Sequence, residues 1–216
     1  RRKAAVKILH KIEHTDRFRQ EAYIQSSVDH PYIARLFEFT YAGKTPCIIM
    51  EYVEGEPLDS YLRRHGRLDS QELIRILIQI TGALAYLHEK EIFHRDIKPS
   101  NLLVVRAAGA EVVKISDFGL ARAYEESSMS GLTVVNSSGG TPAFMPPEQA
   151  KGGKNMDHRA DLFSLGVMIF ELLASRRPWV EKSAFDVIMS AALKPHPNLA
   201  ELRPGISPVF VEIIDK

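Results

Sequence analysis

Two short stretches concentrate the residue types that do chemistry. One is His94-Arg95-Asp96-Ile97-Lys98-Pro99-Ser100-Asn101, and the other, twenty-one residues beyond Asp96, is Asp117-Phe118-Gly119. Between them lie two apolar runs, Leu102-Leu103-Val104-Val105 and Val112-Val113-Lys114-Ile115, on either side of Gly109. That pattern is a hairpin signal. Closing the hairpin brings Asp96, Asn101 and Asp117 to one rim, as one carboxylate base and two oxygen donors of the kind Mg²⁺ accepts. A base beside two hard-cation ligands is what phosphoryl transfer requires, since positioning and charge neutralisation carry most of its rate. His-Arg-Asp alone, or Asp-Phe-Gly alone, fits any solvated surface turn. The two together, in this order and at hairpin distance, are hard to account for as charged loops.

The rest of the composition narrows the setting. With 216 residues the chain suits one large domain or two small ones. Lys and Arg number 28 against 27 Asp and Glu, a net charge of +1, so a general nucleic-acid binder is excluded. The single cysteine, Cys47, rules out an intrachain disulfide and reads as a small buried hydrophobe, which fits a cytoplasmic setting. No apolar run is long enough to span a membrane, and the basic start Arg1-Arg2-Lys3 is followed by too few apolar residues for a signal peptide.

These chemical residues need elements to hold them. Ala4 to Leu9 reads as a buried strand carrying one lysine, Lys7, which needs a partner or an edge. The segment from Asp16 to Val28 has a sparse helical apolar face and carries Glu21. A Lys7–Glu21 ion pair would let Lys7 hold the α- and β-phosphates of ATP; the alternative is a snorkelling lysine and a solvated glutamate. His30-Pro31 ends the helix. Strands are expected over 33–39 and 46–52. Gly55 and Pro57 then break the sheet, so a boundary between a small sheet lobe (1–53) and a larger helical lobe (54–216) is expected there. A nucleotide would lie in the cleft between them, with Met50 at its back and the backbone of Glu51 and Val53 against the adenine edge.

The second part of the chain reads as helices. A short one starts at Leu58, and a long one, capped by Asp69 or Ser70, carries the stripe Leu73, Ile76, Leu77, Ile80, Leu84 and Leu87. The polar stretch from Asp117 to Gly140 is too long for a loop without a purpose. Residues 161–174 are apolar nearly all round, which marks a central buried helix; Asp161 at its start makes sense only where a loop, here the His94 stretch, supplies hydrogen-bond donors. Further helices are expected over 183–193 and from Pro208.

Taken in order, these pieces resemble the bacterial eukaryotic-like serine/threonine protein kinases over nearly the whole chain. The motifs that carry the likeness are Ala5-Val6-Lys7; Phe18-Arg19-Gln20-Glu21-Ala22; His30-Pro31-Tyr32-Ile33; Met50-Glu51-Tyr52-Val53; the His94 to Asn101 stretch; Asp117-Phe118-Gly119; Gly140 to Glu148; and Asp161 to Gly166. The resemblance implies an α+β, bilobal fold and phosphoryl transfer from ATP, with Mg²⁺ or Mn²⁺, to Ser and Thr of proteins. It implies Asp96 as base, Lys98 on the γ-phosphate, Asn101 and Asp117 as metal ligands, and Ala5 and Leu103 sandwiching adenine. Leu36, His94 and Phe118 would stack, Thr141 would steady the loop, and Glu148 would take an arginine. Arg95 implies control by phosphorylation between Asp117 and Gly140, with Thr133 first and Ser137 and Ser138 next, and pairing of two copies for autophosphorylation in trans.

The likeness has departures. No Gly-rich loop precedes Ala5, the Lys7 to Glu21 spacing is short, Pro146 stands where alanine is usual, Phe163 where tryptophan is common, and Gln25 where an apolar residue is usual. The last helix is incomplete and lacks its usual arginine, which reads as a domain truncated at both ends and fits the intracellular part of a membrane-anchored kinase. Two other readings stay open: a non-catalytic scaffold of the same fold, disfavoured because Lys7, Asp96 and Asp117 are all present, and a small-molecule kinase of the aminoglycoside type, disfavoured by the Gly140 to Glu148 platform.

Overall fold

The computed structural model describes residues 3–8, 19, 22–23, 25–107, 110–117, 142–150 and 156–216. Glu21, Phe118, Thr133, Ser137, Ser138 and Thr141 lie outside the described residues.

Three antiparallel strands build the first lobe: β1 (Ala4–Ile8), β2 (Leu36–Ala42) and β3 (Thr45–Glu51), in the order β1-β3-β2. β3 is central and buries Cys47 and Ile48, as expected for a strand paired on both sides. β2 begins at Leu36, three residues later than the sequence pattern suggests. Ile33 instead forms a parallel bridge to Ile115, and the register slips between Leu36 and Glu38. Residues 22–23 and 25–26 are helical, within the span where a helix is expected.

The second lobe opens with β4 (Glu56–Pro57) and the helices α1 (Leu58–His65) and α2 (Ser70–His88). Asp69 caps α2: its carboxylate accepts from the amides of Gln71 and Glu72, and Glu72 returns a bond to the Asp69 amide. The α2 stripe is buried as its spacing predicts at Leu73, Ile76, Ile80, Leu84 and Leu87, while Leu77 is partly covered. β5 (Leu102–Ala107) and β6 (Ala110–Ile115) form the expected hairpin, with Leu102 opposite Ile115 and Val105 opposite Val112. A short helix α3 (Pro147–Ala150) precedes α4 (Arg159–Ala174), α5 (Ala184–Leu193), α6 (Leu199–Leu202) and α7 (Pro208–Ile214). α4 buries ten of its residues on all sides, Met168 and Phe170 among them, and forms the axis of the helical lobe. Each such apolar side chain contributes about 1.5–3 kcal/mol by leaving water.

The lobes are joined at more than the connecting strand. The amide of Ala34 donates to the Ile115 carbonyl at 2.8 Å, and the Ile115 amide donates to the Tyr32 carbonyl at 2.8 Å. Lys114 Nζ meets Glu51 at 2.8–2.9 Å, linking β6 to the end of β3. At the connection itself Gly55 lies against the hairpin: a Cβ there would sit 2.6 Å from the Val104 carbonyl oxygen. That atom is backbone and cannot turn aside. Gly55→Ala is therefore expected to destabilise the protein by about 1–3 kcal/mol, the usual cost of overpacking, read as a lower urea midpoint.

Candidate active site

The site is seated on one buried carboxylate. Asp161, in the first turn of α4, is fully buried. Its oxygens accept from the His94 amide at 2.9 Å, the Arg95 amide at 2.7 Å and His88 Nε2 at 2.8 Å. Burial alone would push this carboxyl up; the His88 bond and the two amides reverse that and hold it below the ordinary carboxylate value. The Arg95 amide bond also holds a backbone with φ of +62°, a left-handed conformation that costs a non-glycine residue about 1–2 kcal/mol.

His94 locks the loop from within. Its ring is fully buried; Nε2 donates to the Ser116 carbonyl at 3.0 Å, and Nδ1 accepts from the Asp96 amide at 3.3 Å. That pattern belongs to a neutral imidazole with its proton on Nε2. Burial lowers the pKa of the ring, and the carboxylates of Asp161, Asp96 and Asp117 only partly oppose this. The unfolded chain takes up a proton near the ordinary value of 6.5 that the fold resists. The stability held by the neutral ring is therefore complete above that value and lost as pH falls below it. Thermal unfolding measured from pH 7.5 to 5 should show a falling midpoint, and His94→Gln should flatten that slope.

Asp96 stands between two donors. Lys98 Nζ reaches its Oδ2 at 2.7 Å, and Asn101 Nδ2 reaches the same oxygen at 2.9 Å and the Asp96 carbonyl at 2.7 Å. Asn101 is buried, and its carbonyl accepts from the Ser116 amide at 2.8 Å and from Ser116 Oγ at 3.1 Å. The loop is thereby stitched to the residue preceding Asp117. Asp117 has φ of +56°, and its carboxylate lies 2.7 Å from Lys7 Nζ. Both side chains of that pair are about two-fifths exposed, so solvent screens it and its main effect is geometric: it ties β1 of the sheet lobe to the rim of the helical lobe.

Ala5 lies opposite Met50 in the β1–β3 ladder, with Leu36 opposite Met50 on the other side, and Leu103 is half-buried on β5. The Glu51 amide donates to the Arg35 carbonyl and the Val53 carbonyl accepts from the Gly55 amide. Glu148 is exposed on α3.

Sequence reasoning missed three members of this arrangement. His88 and Ser116 carry no signal in an apolar helix and a strand end. Lys114 did carry one: a lysine in an apolar strand needs a partner, the same reasoning applied to Lys7, and Glu51 is that partner. Lys7 itself is paired with Asp117, which the spacing did not propose.

Comparison with known proteins fits this geometry. The pattern of the family described as Protein kinase domain matches residues 1–214. The chain is 38% identical over 183 residues to "Serine/threonine-protein kinase pkn2" of Myxococcus xanthus, covering 82% of this chain and 22% of that protein. It is 35% identical over 220 residues to "Serine/threonine-protein kinase PrkC" of Bacillus subtilis, covering 100% of this chain and 33% of the relative. It is 34% identical over 224 residues to "Serine/threonine-protein kinase PknA" of Mycobacterium tuberculosis, covering 99% and 50% respectively. The chain thus spans between about a fifth and a half of the length of these curated relatives. Among solved structures, Rad53 1-466 in complex with AMP-PNP superposes with a TM-score of 0.76 at 25% identity, covering 99% of this chain and 53% of the other. The fold is thus α+β, with a small sheet-rich lobe and a helical lobe. No helix among the described residues is long and apolar enough to cross a membrane. With the family pattern running over almost its whole length, the chain belongs to the protein kinase domain family, and its relatives include bacterial serine/threonine-protein kinases.

Proposed function

We propose that this chain transfers the γ-phosphoryl group of ATP to serine and threonine hydroxyls of proteins. The observation that carries this reading is Asp96, bracketed by Lys98 and Asn101 and seated by Asp161, beside an Asp117 tied to Lys7. Asp96 orients the acceptor hydroxyl and takes its proton. Lys98, already 2.7 Å from Asp96, neutralises charge where the phosphoryl group arrives. Lys7 leaves Asp117 in part to hold the α- and β-phosphates. The boundary between lobes falls near residue 53, and adenine lies between Ala5 and Leu103, its edge on Val53.

The oxygen donors fit Mg²⁺ or Mn²⁺. Asn101 spends its Nδ2 on Asp96, which leaves Oδ1 as its acceptor, and Asp117 adds a carboxylate. Among the described residues no group of three or more His, Cys, Asp or Glu forms a metal cage. That suits a cation that keeps several waters and completes its shell with substrate phosphates. When bound, it would neutralise the charge of the phosphates.

Control by phosphorylation is part of the reading. Arg95 Nε is buried without a hydrogen-bond partner among the described residues, a cost that a phosphate would relieve. Thr133, then Ser137 or Ser138, would carry it, added in trans by a second copy in the cytoplasm. The test is transfer of labelled phosphate from ATP, with Mg²⁺, to two protein substrates, one basic and one acidic. Label on serine or threonine is expected. No label, together with no thermal shift on adding ATP and Mg²⁺, would overturn the reading in favour of a scaffold.

A further inference from the structure

A cavity of about 550 Å³ opens beside the proposed base and is not used by any step above. Its wall carries Arg63 and Arg67 from the end of α1 and the turn after it, Lys98 and Ser100 from the loop, Glu171 from the far end of α4 and Arg177 from the segment that follows it. Asp59 is the remaining charged residue in the wall. Lys98 links the cavity to the reaction, since its Nζ is 2.7 Å from Asp96.

The charges are not balanced. Four cations face two carboxylates, and both carboxylates are already engaged: Asp59 with Arg63 at 3.0 Å and Glu171 with Arg177 at 3.2 Å. Arg177 is further held over the Phe144 ring at 5.5 Å. Lys98 is matched by Asp96. Arg67 is exposed and has no ion-pair partner among the described residues. A basic side chain entering here would have to displace an arginine from one of the two carboxylates. An anionic one would meet Arg67, and the unused N–H groups of two guanidinium forks, at no such cost.

We propose that this cavity reads the protein substrate, selecting acceptors that carry an anionic side chain, either a carboxylate or an earlier phosphate, close in sequence to the Ser or Thr. This rests on the phosphoryl-transfer reading, because it assigns the bound chain as the acceptor. It names Arg67 as the specificity-determining residue, with Arg63 and Arg177 as supporting donors whose own carboxylate partners hold them in place.

The experiment uses serine-centred peptides with Glu, phosphoserine, Ala or Arg placed at each of several flanking positions. Binding is measured by fluorescence anisotropy without nucleotide, and kcat/KM with ATP and Mg²⁺. Anionic peptides should be favoured over Arg peptides by roughly tenfold at low salt, with the preference shrinking as salt screens it. Arg67→Glu should erase or reverse that preference, whereas the charge reversal Arg75→Glu, on the exposed side of α2, should leave it intact. A preference held by Glu peptides identifies acidic substrates, and one confined to phosphoserine peptides identifies substrates already phosphorylated. Arg peptides binding equally or better, or a preference that survives Arg67→Glu, would overturn the proposal. Selective binding without phosphorylation of any peptide would instead remove the phosphoryl-transfer reading while leaving the anion site standing.

Discussion

Asp96→Asn is expected to lower phosphoryl transfer by about two to four orders of magnitude, the range contributed by a positioned general base. The substitution preserves shape and leaves an amide oxygen able to accept from Lys98 or Asn101, so the loop stays seated through His94 and Asp161. What disappears is the negative charge proposed to orient the hydroxyl and accept its proton. The loss should fall on kcat, with ATP affinity close to unchanged, because Lys7 and Asp117 are untouched. Single-turnover transfer to a protein substrate measures it. Residual turnover within tenfold of the unsubstituted protein would remove Asp96 from the role of base.

The largest loss of stability is expected from Asp161→Ala, about 3–5 kcal/mol, since three donors lose their shared acceptor at about 1–3 kcal/mol for each one left unsatisfied. Two backbone amides, of His94 and Arg95, lose their acceptor, and His88 loses its bond. Arg95 would also lose the amide bond that holds its left-handed conformation. Urea unfolding gives the stability change, and transfer activity should fall with it because the base is no longer seated. Asp161→Asn offers a check: it keeps the volume but presents an NH₂ to donors, so it should be destabilised nearly as much. A change below about 1 kcal/mol in the alanine variant would show that the carboxylate does not organise the loop.

Much of the fold was legible because periodicity and turn chemistry act locally. The α2 stripe, its acidic cap, the apolar α4 and the β5–β6 pairing all follow from spacing along a single element. The late start of β2 was not legible. Ile33 looks like any strand residue, and only the tertiary bridge to Ile115 takes it out of the ladder. At the site, residue types and spacing marked Asp96, Asn101 and Asp117 as candidates and Asp161 as a buried acceptor in want of donors. They could not reveal His88 or Ser116, whose parts depend on a backbone carbonyl and a neighbouring helix rather than on their own chemistry. Nor could they identify Asp117 as the partner of Lys7, since that pairing spans 110 residues and two lobes.

The hydrogen bonds to Asp161 have a consequence for the order in which the protein becomes competent. They join residues 66, 67 and 73 positions apart. Synthesis proceeds from the N-terminus, so the stretch from His94 to Asn101 leaves the ribosome well before the carboxylate that seats it, and the rest of α4 follows later still. A nascent chain ending short of residue 161 contains every group proposed for the chemistry but lacks the carboxylate that accepts from the His94 and Arg95 amides. The seating of the loop is therefore completed only by the arrival of a helix that contributes none of the groups proposed for the transfer itself.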